Sequence, residues 1–84
     1  MITIYSMKGC LACERAKTLL SSRNIPFEHK VLDEDFSREW ILGTFPMMTT
    51  FPIILEGRKL IGGYTDLVRE IADNKYLGKT LLNE

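Results

Sequence analysis

Cys10-Leu11-Ala12-Cys13 holds the only two thiols in the chain. A bond between residues this close closes a very short loop and constrains almost nothing else, so the spacing suits chemistry better than architecture. Two thiols and the single histidine, His29, fall short of the four ligands that a structural zinc site wants. The remaining readings are a redox-active dithiol and two unrelated buried cysteines. Cys10 follows an apparent strand and opens an apparent helix. The first amides of a helix are unpaired and carry partial positive charge, which stabilises a thiolate and lowers its pKa below about 8.5. Lys8 adds a second positive group nearby. Cys13 lies one turn further on the same face, within reach of Cys10 and expected to be the more buried. Cys10 is therefore read as the nucleophile and Cys13 as the resolving thiol.

The elements that must hold this pair can be read from periodicity. Ile2, Thr3, Ile4 and Tyr5 form a short strand ending at Ser6, and Gly9 breaks it. Ala12, Ala16, Leu19 and Leu20 recur at helical spacing from Leu11 to about Arg23, with Asn24 as terminator. Phe27 to Leu32 is a second extended segment. Asp33-Glu34-Asp35 precedes Phe36, Trp40 and Ile41 and reads as the acid-rich start of a short helix stopped by Gly43. A loop around Pro46 leads to Pro52-Ile53-Ile54-Leu55, an apolar run typical of a strand buried on both faces. Glu56 to Lys59 turns the chain, and Lys59-Leu60-Ile61 returns as a hairpin partner until Gly62-Gly63 interrupts it. Leu67, Val68, Ile71 and Ala72 mark a last helix with Thr65 as N-cap. The predicted class is α/β with the order β-α-β-α-β-β-α: two parallel strands joined by a helix, an antiparallel hairpin added, and helices flanking a four-stranded mixed sheet. Phe27, Phe36, Trp40 and Phe45 are expected in the core, His29 on the surface of a strand. Tyr5, Tyr76 and the segment after Asn74 receive no assignment.

Composition narrows the function classes. The 84 residues read as a single domain, 1–84, with 45% hydrophobic residues and balanced charges, 11 basic and 11 acidic. Nothing has the basic excess of a nucleic-acid binder, and no apolar stretch is long enough to span a bilayer. Met1 to Tyr5 lacks the charged start and cleavage site of a secretory signal, so a reducing cytosol is the expected compartment.

Three blocks, Lys8-Gly9-Cys10-Leu11-Ala12-Cys13, Thr50-Phe51-Pro52 and Gly62-Gly63-Tyr64-Thr65-Asp66-Leu67, together resemble a dithiol glutaredoxin of the thioredoxin superfamily over roughly Ile2 to Ala72. The resemblance implies a thioredoxin fold, glutathione as co-substrate and no metal. It implies that Pro52 is cis, so that the Phe51 N–H and C=O pair with the cysteinyl backbone of glutathione like an added strand. Gly62-Gly63 would let the backbone approach the ligand closely, and the resemblance assigns Thr50, Gly63 and Tyr64 to the glutathione site as well. The amides of Thr65 and Asp66 would hold the γ-glutamyl carboxylate at a helix N-terminus, Asp66 would meet the ammonium group, and Lys8 the glycyl carboxylate. Leu11 and Ala12 stand where many members have proline and tyrosine, removing an aromatic edge from the pocket. Met47-Met48-Thr49 stands where many carry a basic or amide residue; the methionines are either a soft rim for a protein substrate or core fillers.

The leading expectation is a monomeric, glutathione-dependent reductase of protein disulfides and glutathione mixed disulfides. A redoxin fed by thioredoxin reductase, with ribonucleotide reductase as client, is an alternative. A glutathione-ligated [2Fe–2S] carrier is another.

Overall fold

A computed structural model describes residues 1–73, in the order β1 (Ile2–Ser6), α1 (Leu11–Ser22), β2 (Phe27–Val31), α2 (Arg38–Thr44), β3 (Ile53–Glu56), β4 (Lys59–Gly62) and α3 (Tyr64–Ala72). Tyr76 and the segment after Asn74, which the sequence leaves without assignment, lie outside the described residues. The strands form one sheet in the order β2-β1-β3-β4. β1 runs parallel to β2, with Ile2 opposite Phe27, and antiparallel to β3, with Ile4 opposite Ile54. β3 and β4 form the hairpin.

Strand alternation sorts the side chains into two cores. Ile2, Ile4 and Ile54 point to one face, where Ala16 and Leu20 of α1, Ile25, and Leu67 and Ile71 of α3 bury them. Ile53 and Leu55 point to the other face and meet Ile41 of α2, with Tyr5, Phe36, Phe45, Met48 and Phe51 packed around them. β3 is thus buried on both sides, which is why it is continuously apolar. Ser6 at the end of β1 is buried, but its hydroxyl is satisfied: it donates to the Lys30 carbonyl at 3.1 Å and bonds His29 Nε2 at 2.5 Å. His29 is itself exposed on β2.

α1 ends as its sequence suggests. Asn24 adopts φ 57°, the Asn24 N–H bonds the Ser21 carbonyl, and the Ile25 N–H bonds the Leu20 carbonyl, a Schellman closure. The start of α2 differs from expectation. Asp33, Glu34 and Asp35 are not its first turn; they form a turn of their own, with Asp33 at φ 70° and the Asp35 carboxylate accepting the Val31 N–H at 2.8 Å. Ser37 is the N-cap, accepting the Trp40 N–H at 3.1 Å. Gly43 does not stop the helix, which continues through Thr44. Trp40 is not core: it is 46% exposed and leans on Tyr5, with ring centroids 5.5 Å apart. Phe36 and Phe45 flank it further, at 6.2 and 6.5 Å, and the rest of the side chain stays open to solvent.

The β4–α3 junction also differs. Gly63, not Thr65, is the N-cap, and α3 begins at Tyr64. Having no side chain, Gly63 cannot cap in the usual way. Instead its own N–H donates to the Asp66 carboxylate at 3.0 Å, half of a capping box. Gly62 is still in β4, at φ 126°, and a Cβ there would fall inside the Asp66 carboxylate.

Two stability changes follow from this packing. Ile54→Ala, which opens a cavity between the sheet and the α1–α3 layer, should cost about 2–5 kcal/mol in denaturant unfolding, and a loss below about 1 kcal/mol would contradict this placement. Gly62→Ala should cost about 1–3 kcal/mol through backbone strain and the displaced carboxylate, where Gly57→Ala, also at positive φ but facing open space, lacks the second penalty.

Candidate active site

The chain leaves β1 at Ser6 and must reverse into α1. Gly9 makes that possible at φ 77°, a conformation L side chains rarely adopt. Cys10 follows as the N-cap of α1, in extended conformation. A serine or aspartate commonly occupies such a position because its side chain accepts from a free helical amide. Here sulfur does so: Cys10 Sγ accepts the Cys13 N–H at 3.1 Å. One N-terminal amide of the helix is thereby aimed at the sulfur, in addition to the partial charge of the helix end.

Cys10 and Cys13 are joined as a disulfide with Cα atoms 5.2 Å apart. Cys13 is fully buried, whereas Cys10 is partly exposed. Attack from solvent therefore reaches Cys10 Sγ, and Cys13 is accessible only to its partner. Among the described residues no three His, Cys, Asp or Glu side chains converge as a metal site.

Beside this turn lies a cleft of about 360 Å³ lined by Ala12, Met48, Thr50, Phe51, Pro52, Gly63, Tyr64, Thr65 and Asp66. Three distant segments meet there: the first turn of α1, the loop before β3, and the start of α3. Seven of the eight residues singled out for glutathione share this wall. The Phe51–Pro52 peptide is cis, and Pro52 is buried. Phe51 precedes β3, and among the described residues its N–H and C=O enter no backbone hydrogen bond of the loops or caps. Its ring is anchored in the core on the α2 face of the sheet, the lower core, 6.2 Å from Phe36, which itself packs edge-on against Tyr5 at 5.1 Å. Tyr5, silent in the sequence, is thus the hub of the aromatic cluster that supports the loop.

The eighth residue is placed differently. Lys8 lines a separate cleft of about 280 Å³ with Met7, Leu32, Asp33, Glu34 and Arg38. Its ammonium is paired with Glu34 Oε2 at 2.9 Å. The hydrogen bond and charge of Glu34 hold the Lys8 pKa above its ordinary value. Lys8 is therefore not an unscreened positive neighbour of Cys10. Nothing local in the sequence marks Glu34 as its partner, because the β2–α2 turn reaches it only in the folded chain.

Asp66 is also engaged. Besides the Gly63 N–H on Oδ2, it has Arg69 Nη1 at 3.6 Å from Oδ1. Met48 resolves toward both of its readings, since it packs against the lower core and lines the cleft. Met47 is exposed at 68% and fills no core.

Similarity to known proteins agrees with this geometry. Residues 2–61 match the glutaredoxin family. The chain is 33% identical to glutaredoxin 3 of Escherichia coli K12 over 66 residues, which are 79% of this chain and 80% of that protein. It is 34% identical over 71 residues to the hybrid peroxiredoxin hyPrx5 of Haemophilus influenzae, covering 84% of this chain and 29% of that longer protein. Among solved structures, a buckwheat glutaredoxin–glutathione complex superposes with a TM-score of 0.80 at 22% identity, covering 92% of this chain and 73% of the other. That likeness is one of fold, the thioredoxin fold. The sequence match across the sheet and the cysteine turn makes the chain a member of the glutaredoxin family, and its Cys10–Cys13 pair the centre of a thiol–disulfide oxidoreductase.

Proposed function

We propose that this chain is a glutathione-dependent reductase of protein disulfides and glutathione mixed disulfides, working as a monomer in a reducing cytosol. The observation that carries the reading is the single cleft shared by Thr50, Phe51, Pro52, Gly63, Tyr64, Thr65 and Asp66 beside the cysteine turn.

The chemistry is two successive exchanges. The Cys10 thiolate attacks one sulfur of the substrate disulfide, and the S–S electron pair leaves with the other sulfur as a thiolate, which takes up a proton. With a protein disulfide, the Cys13 thiolate then attacks Cys10 Sγ, frees the client thiol and leaves Cys10–Cys13 oxidised. Two glutathione thiols return the pair to its reduced form in two further exchanges, and glutathione disulfide carries the electrons away.

The cleft suits a glutathionyl group in this sequence. The Phe51 N–H can donate to the cysteinyl backbone and its C=O can accept from it, which aligns the glutathione sulfur as an added strand would. The first amides of α3, which helix geometry leaves without an intrahelical partner, suit the γ-glutamyl carboxylate. The Asp66 carboxylate, fixed by the Gly63 N–H, suits the ammonium group. Lys8 reaches the glycyl carboxylate only by leaving Glu34. Ala12 leaves the cleft open where a tyrosine would close it, and Met48 supplies a pliable apolar wall that also accommodates a client polypeptide.

The test is an assay with glutathione as the sole reductant. Cys10→Ser should lose all turnover. Cys13→Ser should keep removal of glutathione from a mixed disulfide and lose reduction of protein disulfides. Wild-type turnover with thioredoxin reductase but not with glutathione would contradict the reading.

A further inference from the structure

The pairing of Lys8 has a consequence for substrate choice that rests on the glutathione reading above. Lys8 and Glu34 line one cleft beside the cysteine turn, together with Asp33 and Arg38. The Glu34 carboxylate sits on the Lys8 ammonium at 2.9 Å, in the geometry that a carboxylate of an incoming substrate would need. Both side chains are exposed, at 81% and 53%, so the contact opens without disturbing the core. Arg38 has no ion-pair partner among the described residues. With Glu34 in place, two cations of the cleft face two carboxylates; without it, two cations face the Asp33 carboxylate alone.

We propose that Glu34 is a specificity-determining residue: its carboxylate occupies Lys8 in place of a substrate carboxylate, and so lowers the enzyme's preference for anionic disulfides over neutral ones. Substrate binding exchanges one ion pair for another. The gain from Lys8 is then only the difference between the two pairs, not the full contact. An exposed pair contributes little by itself, so the exchange sets preference by a small factor and leaves the sulfur chemistry untouched. A client disulfide without a carboxylate at that position has no such exchange to make, and Glu34 costs it nothing.

The experiment compares kcat/KM for a glutathionylated peptide with that for bis(2-hydroxyethyl) disulfide reacting directly with the reduced protein. Four proteins are used: wild type, Glu34→Gln, Lys8→Gln and the double variant. Glu34→Gln should raise the anionic-to-neutral ratio about two- to fivefold, through KM and not kcat. The double variant should show no gain over Lys8→Gln alone. An unchanged or lowered ratio in Glu34→Gln, or a gain that persists without Lys8, would overturn the proposal while leaving the glutathione reading intact. A wild type with no preference for the glutathionylated peptide, and no rise in Glu34→Gln, would sink the glutathione reading and this inference with it.

Discussion

A helix that starts with a cysteine as its cap has a free amide to spend on sulfur. The Cys13 N–H to Cys10 Sγ contact is where backbone geometry becomes reactivity. An unpaired amide donates to the form of the sulfur that carries charge, so the same contact that caps α1 favours the thiolate. The rest of the fold holds that helix end in place and sets the cleft beside it. Gly9 supplies the left-handed residue that lets β1 deliver Cys10 at the cap. The upper core of Ile2, Ile4, Ala16, Leu20 and Ile54 fixes α1 against the sheet, and Cys13 is buried in the first turn of that helix.

The cleft proposed to hold substrate depends on the other core. Thr50, Phe51 and Pro52 belong to a loop with no strand partner of its own, yet Phe51 packs against the cluster of Ile41, Ile53 and Leu55, beside the Phe36 ring. Tyr5 couples this cluster to β1, the strand that leads into the cysteine turn. The cysteine turn and the Phe51 loop are thus tied to the same end of one short strand, where Tyr5 lies opposite Ile53. Gly62 and Gly63 bring α3 against them: one leaves space for the Asp66 carboxylate, the other donates to it.

Much of this was readable from residue types. The strands, α1 and the hairpin follow from period-two and helical patterns, and the double burial of β3 was visible in Ile53-Ile54-Leu55. The Phe51–Pro52 cis bond and the shared cleft were expected only through resemblance, since no local rule dictates them. What stayed hidden was decided by competition among polar groups. The acids of 33–35 favour a helix start on charge alone, but Asp35 caps Val31 and Ser37 caps the helix instead. Thr65 is the better capping residue, but a glycine at 63 lets Asp66 reach back and do the capping from inside. Trp40 looked like core because aromatic side chains usually are. Glu34 gave no sign of meeting Lys8, because that contact depends on how a turn folds over the sheet edge.

The most direct test of the central claim is the titration of the Cys10 thiol in the reduced protein, followed by its alkylation rate against pH. A capped sulfur predicts that Cys10 reacts as a thiolate with a midpoint below the free-thiol value of about 8.5, while buried Cys13 stays unreactive in that range. A Cys10 midpoint at or above that value would contradict the account.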